Sequence, residues 1–297
     1  MDDIIVVGGS FAGLATALQM GRARRKVTVL DTGLPRNRFA SHSHGFLGHD
    51  HKNPADILAV AREQITRYPT IRIVNARADS ASGEKDNFAV TTEDGETLRA
   101  RRLVLSYGVA DQMPDIPGFA ESWGKSVVPC PYCDGFEVAD KSWGALYSGA
   151  HTVQSLVLYG DWTNNLTLFT DGHELSQDER DKIAARGVKI VDGKVVAIPN
   201  ADGRLSGITI ADGRTIAVDV LFAHPQNRPA ANVHKTLGLE TTATPVGTIL
   251  KVNEQFETSL PGVFAAGDLA NPMASVTLAA SHGMLAGVFA QRSMLGF

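Results

Sequence analysis

The chain has 297 residues, 43% hydrophobic and 20% charged, ordinary proportions for a soluble globular protein with room for one large domain or two modest ones. A net charge of −4 excludes a general electrostatic pull toward nucleic acid or an anionic membrane. Only two cysteines occur, which points away from a structural staple and toward catalysis or redox sensing.

In chain order, Met1-Asp2-Asp3 is acidic and leads straight into a strand, so no signal peptide and a cytoplasmic location are expected. Ile4 to Val7 reads as a buried parallel strand, Gly8-Gly9-Ser10-Phe11-Ala12-Gly13 as a turn, the run to about Arg22 as a helix, and Val27 to Asp31 as a second strand. Such a turn aims backbone N–H groups and a helix dipole at a pyrophosphate, and Asp31 is placed to accept from a ribose. Ser10 stands where the middle glycine of the dinucleotide pattern is expected; its hydroxyl could itself donate to a phosphate. The alternative is an ordinary glycine-rich turn of an α/β domain.

Asn53-Pro54 marks a helix start. Phe88 to Thr92 and Thr97 to Arg101 flank Asp94-Gly95 as a hairpin, and Leu103 to Leu105 reads as a further strand ending at Gly108. The hairpin-plus-strand order recurs from Ile208 to Phe222, which suggests two related modules. Met113 to Gly118 is proline-rich and suits a linker, and a second crossing is expected between about Thr241 and Thr248. The fold expected is α/β, two Rossmann-like three-layer modules with the second inserted into the first: residues 1–112 with 243–297, and residues 113–242. Ser275 to Leu295 is apolar but interrupted by His282, Gln291 and Arg292, so it reads as a buried helix rather than a membrane span.

Both cysteines lie in Cys130-Pro131-Tyr132-Cys133-Asp134-Gly135. Zinc needs four ligands, and no second pair exists. A glutaredoxin-like site also uses this spacing, but near the start of a small domain. The third reading is a dithiol that exchanges two electrons with a flavin. Asp134 would then shuttle a proton, or merely cap a helix. His42, His44, His49 and His51 precede the Asn53 helix and read as loop structure or flavin contact; a metal site is the alternative, and none is expected. His282 reads as packing or as a proton-transfer group.

These motifs carry a resemblance. The whole chain resembles the low-molecular-weight thioredoxin reductase family of flavoproteins, through Gly8–Gly13, Pro114-Asp115-Ile116-Pro117-Gly118, Cys130 to Gly135, and Val263-Phe264-Ala265-Ala266-Gly267-Asp268. The resemblance implies FAD in the outer module, with Gly8, Gly9, Ser10, Phe11, Ala12, Gly13 and Asp31 at the ADP half and Asp268, beside Gly267, at the ribityl chain. Gly108 joins this cofactor set, as does the helix start Ser275-Val276-Thr277, whose dipole suits charge on reduced flavin. It also implies Cys133 as the thiol facing the flavin, Cys130 as the thiol meeting substrate, and Asp134 as acid/base, with His282 as a further catalytic candidate.

The second module departs from that pattern. Ala145-Leu146-Tyr147-Ser148-Gly149-Ala150-His151 keeps one glycine of the nucleotide loop, and Thr170-Asp171-Gly172 replaces the basic cluster for a 2′-phosphate. NADPH binding is expected to be lost; Asp171 could bond a ribose, which leaves NADH open. Within the family, the chain resembles the gliotoxin- and holomycin-type dithiol oxidases, although Asp134 is reductase-like. The expected enzyme is an FAD-dependent dithiol oxidase, a homodimer, acting on a small-molecule dithiol or a thioredoxin-like protein, with dioxygen or another non-NADPH redox partner and neither nucleic acid nor membrane. The alternatives are a thioredoxin or small-disulfide reductase fed by another donor, and a non-catalytic flavin redox sensor.

Overall fold

The structure, a computed structural model, describes residues 1–297. The N-terminal half builds β1 (Asp2–Val7), α1 (Phe11–Arg22), β2 (Val27–Asp31), α2 (Pro54–Ile65), β3 (Ile71–Asn75), β4 (Ala78–Glu84), β5 (Asn87–Thr92) and β6 (Thr97–Leu105). The order across the sheet is β3-β2-β1-β6-β5-β4, and the late strand Val263–Ala265 also pairs with β6. Strands β3, β2, β1, β6 and Val263–Ala265 are parallel neighbours, whereas β5 joins β6 antiparallel. The second strand of the expected hairpin and the strand at Leu103–Leu105 are thus one element: β6 pairs with β5 along its first half and with β1 along its second.

The apolar run Ile4-Ile5-Val6-Val7 is unbroken because both faces of β1 are covered. Ile5 and Val7 enter one core with Leu30, Leu103 and Leu105. Ile4 and Val6 enter the other with Ala12, Leu14, Val104 and Phe264. Each fully buried aliphatic side chain contributes roughly 1.5–3 kcal/mol.

The second sheet has five parallel strands in the order Lys189–Val191, Leu166–Phe169, Trp143–Leu146, Val220–Phe222, Val127–Val128. It repeats the two-sided burial, with Leu146, Phe169 and Leu221 on one face and Trp143, Leu168 and Phe222 on the other. These two α/β units are the fold class that the sequence implied. Between them, β7 (Val109–Asp111) pairs antiparallel with Asn227–Pro229, which leads into the hairpin Thr241–Thr244/Gly247–Leu250.

The C-terminal helix, Val276–Leu295, lies on α1. Thr16 Oγ1 donates to the Gly283 carbonyl at 2.7 Å, and a Cβ on Gly283 would run into the Ala12 backbone. This close approach explains a glycine inside a helix, where it ordinarily costs about 1 kcal/mol. No helix is long and apolar enough to cross a membrane. Gly283→Val should therefore lower stability by about 1–3 kcal/mol, read as a lower urea midpoint, although valine suits a helix better than glycine does.

Candidate functional site

Parallel strands deliver the outer module's site to one edge, their C-terminal ends. There β1 opens into Gly8–Gly13, β2 ends at Asp31, β6 runs on to Ser106 and Gly108, and Val263–Ala265 leads to Gly267 and Asp268. A Cβ on Gly13 would collide with the Gly8 carbonyl, so glycine there lets the helix start fold tightly over the loop. Ser106 Oγ donates to that same carbonyl at 2.8 Å. Asp31 is partly engaged already: Oδ1 accepts from the Gly9 N–H at 3.2 Å, and Oδ2 pairs with Arg62. A carboxylate has about four lone-pair positions, which leaves room for ribose hydroxyls.

Asp268 is held by a residue that sequence reasoning passed over. Arg36 bonds Asp268 through Nη1 at 3.0 Å and grips Asp111 through Nε and Nη2 at 2.9 and 2.6 Å. Burial works against its charge, but the two carboxylates outweigh it and hold the guanidinium above its ordinary value. The partners lie 75 and 232 residues away, so no local spacing announces them.

The C-terminal helix starts at Ser275, whose side chain accepts from the Leu278 N–H at 3.0 Å, and Thr277 Oγ1 donates to the Gly45 carbonyl at 3.2 Å. His282 packs on Phe256, with ring centroids 5.1 Å apart. Its Nδ1 is buried without a hydrogen-bond partner. Burial lowers its pKa, with Asp268 opposing. Its charged neighbour is thus Asp268 rather than the cysteine pair.

The second module presents the dithiol on a single helical turn, Pro131–Asp134, with Cys130 at its N-cap. The two thiols form a hydrogen-bonded pair. The Cys133 S–H donates to Cys130 and is the main reason the Cys130 pKa falls to about 7; burial opposes this, and the Cys133 and Tyr132 backbone N–H groups add to it. Cys133 correspondingly holds its proton, because of Cys130 and of burial. Burial pushes the Asp134 carboxyl up to about 6, with His44 pulling it down and Glu137 adding to the rise. A thiolate and a carboxyl that both titrate near neutrality stand side by side.

The two modules meet here. His44 Nδ1 donates to the Cys133 carbonyl at 2.7 Å, across a separation of 89 residues. His42, His44 and His51 gather at this contact, while His49 packs on Phe46 instead. Sequence reasoning grouped the four histidines but gave no sign that His44 reaches the cysteine turn with His42 and His51 packed beside it.

Adjacent thiols carried by one of two paired nucleotide-binding folds define a disulfide oxidoreductase. A family described as pyridine nucleotide-disulphide oxidoreductase matches residues 2–283. The thioredoxin reductase tcpT of Claviceps purpurea is 34% identical over 316 residues, covering 99% of this chain and 94% of that protein. The thioredoxin reductase sirT of Leptosphaeria maculans is 33% identical over 305 residues, covering 96% and 92%. Among solved structures, an oxidoreductase from Agrobacterium tumefaciens is 40% identical with a TM-score of 0.94, covering 99% of both chains. HlmI is 33% identical with a TM-score of 0.93, covering 99% of this chain and 93% of that one. The chain belongs to the pyridine nucleotide-disulphide oxidoreductase family, as a thioredoxin reductase-like flavin-dependent enzyme, and the resemblance read from its motifs holds. Members of this family bind FAD. The outer edge suits that group: a Cβ on Gly8, Gly9 or Gly13 would clash with neighbouring residues, so the loop stays bare backbone, and His282 Nδ1 is buried without a partner.

The thiol pair yields a direct expectation. In the reduced protein, Cys130 should react with iodoacetamide along a titration centred near pH 7, slowing below it as the thiolate is protonated. Cys133→Ala removes the donated S–H and should move that midpoint upward; an unchanged midpoint would mean the second thiol does not support the thiolate.

Proposed function

We propose that this protein oxidises small dithiols to disulfides, passing two electrons from substrate through Cys130 and Cys133 to FAD and on to dioxygen, which leaves as hydrogen peroxide. In this reading the nicotinamide module is kept as the carrier of the cysteine turn, within residues 113–242, and no longer takes NADPH. One observation carries the reading. Asp171, at the end of strand Leu166–Phe169 where a 2′-phosphate would be read, is locked in place: Oδ2 pairs with Lys194 at 3.0 Å, and Oδ1 accepts from the Val195 N–H at 2.9 Å. A fixed carboxylate there repels a phosphate, and its pairing consumes the nearest cation. The loop before Ala150–Tyr159 supports the same view, since Tyr147 donates to Glu179 at 2.8 Å and Ser148 Oγ lies 3.2 Å from His151. These contacts bring side chains to a turn that keeps one glycine, where a glycine-rich loop would admit a pyrophosphate.

Bound FAD would supply the two-electron acceptor. Gly8 to Gly13 and Asp31 would hold its ADP half, Asp268 its ribityl chain, and the Ser275-Val276-Thr277 helix start would face the ring. The thiol steps follow from the chain's own residues. A substrate thiolate attacks Cys130 Sγ of the disulfide, forming a mixed disulfide and releasing Cys133. The second substrate thiol gives its proton to Asp134, poised by burial near pH 6, and attacks the first substrate sulfur. Cys130 then departs as a thiolate, a good leaving group because its pKa is about 7. Tyr132 and Phe136, 70% and 84% exposed, flank the pair and offer an apolar approach.

A second reading has support in the names of the fungal relatives and in Asp134: a disulfide reductase fed by a donor other than NADPH. Anaerobic spectra of the FAD-loaded protein separate the two. A small dithiol should bleach the flavin while NADPH and NADH leave it yellow, and air should restore the colour quickly with release of peroxide. Slow reoxidation favours the reductase, and rapid bleaching by NADPH with competent turnover overturns both. Cys130→Ser or Cys133→Ser should reduce turnover by roughly a thousandfold or more; full biological function of Cys133→Ser would instead favour a redox sensor.

A further inference from the structure

We propose that His44, His51 and Glu137 form a binding site for a divalent transition cation, best matched by zinc, which clamps the histidine loop of the outer module to the cysteine segment of the inner one. The sequence reading placed these histidines in loop structure or flavin contact, with a metal site as the alternative. The fold supplies the missing donor from another module.

The ligand atoms of these three side chains all lie within 4.8 Å of one another. His44 Nε2 is 3.1 Å from His51 Nδ1 and 3.4 Å from Glu137 Oε1. A tetrahedral zinc with bonds of about 2.0–2.1 Å sets its ligand atoms roughly 3.3–3.4 Å apart, so the cluster is close to the required geometry. Two imidazoles and one carboxylate leave a fourth position for water. This nitrogen-rich set suits zinc better than magnesium or calcium, which take oxygen ligands.

The tautomer of His44 follows from its neighbour. The Cys133 carbonyl can only accept, so Nδ1 carries a proton, and it is Nε2, facing His51 and Glu137, whose lone pair a cation would take in place of a second proton. A backbone carbonyl bonded to the far nitrogen is the usual outer support of a metal-bound histidine. In the neutral ring that lone pair points toward the Glu137 carboxylate, an arrangement that a cation resolves.

The loop is built to bring the two histidines together. Ser43 and Lys52 form an isolated antiparallel bridge, in which the Ser43 N–H donates to the Lys52 carbonyl at 2.8 Å and the His51 N–H to the Ser43 carbonyl at 2.9 Å. Asp50 accepts from the Gly45 N–H at 2.8 Å and closes the turn between them. His51 sits in the left-handed region, with a φ of 60°, which turns its ring back toward His44. His42 stacks on the His51 ring at 4.3 Å with 10° between planes, which fixes that ring's orientation.

The test uses the FAD-loaded protein with its disulfide closed, so that the cysteines cannot bind metal. Zinc chloride is titrated against a chromophoric chelator, and cobalt absorption reports the ligand geometry. One zinc per chain is expected. His51→Ala and Glu137→Gln, both at exposed positions, should each weaken it at least tenfold, while His173→Ala leaves it unchanged. Failure to hold one equivalent, or retention unaffected by both substitutions, overturns the site. Dithiol turnover does not enter the readout, so the result stands apart from the proposed reaction.

Discussion

The hydrogen bond from His44 Nδ1 to the Cys133 carbonyl joins the dithiol turn to the outer module. Everything on either side of it is carried by long-range structure. The cysteine turn hangs from a five-stranded sheet whose strands are buried on both faces. The histidine loop follows β2 and is tied to the C-terminal helix by the Thr277 contact with Gly45. Both partners are therefore backed by cores too well packed to shift by small amounts.

That arrangement gives the electrostatics a purpose. Cys130 occupies the N-cap, where two N–H groups and the Cys133 S–H favour its thiolate. Burial raises Asp134 to about 6 in the same turn. One helical turn thus holds a thiol and a carboxyl that both titrate near neutral pH, the properties the proposed thiol–disulfide exchange uses. Across the interface, Arg36 ties Asp268 to Asp111 and stiffens the edge where the family places its flavin.

Much of this was legible in the sequence. The run Ile4 to Val7 read as a two-sided strand because nothing polar interrupts it, and Asn53-Pro54 marked a helix start, where Asn53 accepts from the Ala55 N–H. The glycine turn, the cysteine turn and the Gly-Asp segment kept their family order. Two kinds of feature stayed hidden. One strand was read as two, because β6 changes partners midway while its backbone continues. The others were contacts between distant segments: Arg36 with Asp268, and His44 with Cys133. Local patterns encode periodicity, caps and turns; they do not encode which loops a fold folds together.

The account depends most on the cysteine turn resting against the outer module through His44. A structure of the FAD-loaded, oxidised protein, solved with and without NADPH, tests this directly. The account predicts that His44 stays within hydrogen-bond distance of the Cys133 carbonyl in both and that no nucleotide occupies the inner module. Rotation of that module, with the bond broken and a nicotinamide ring brought to the flavin, would contradict it.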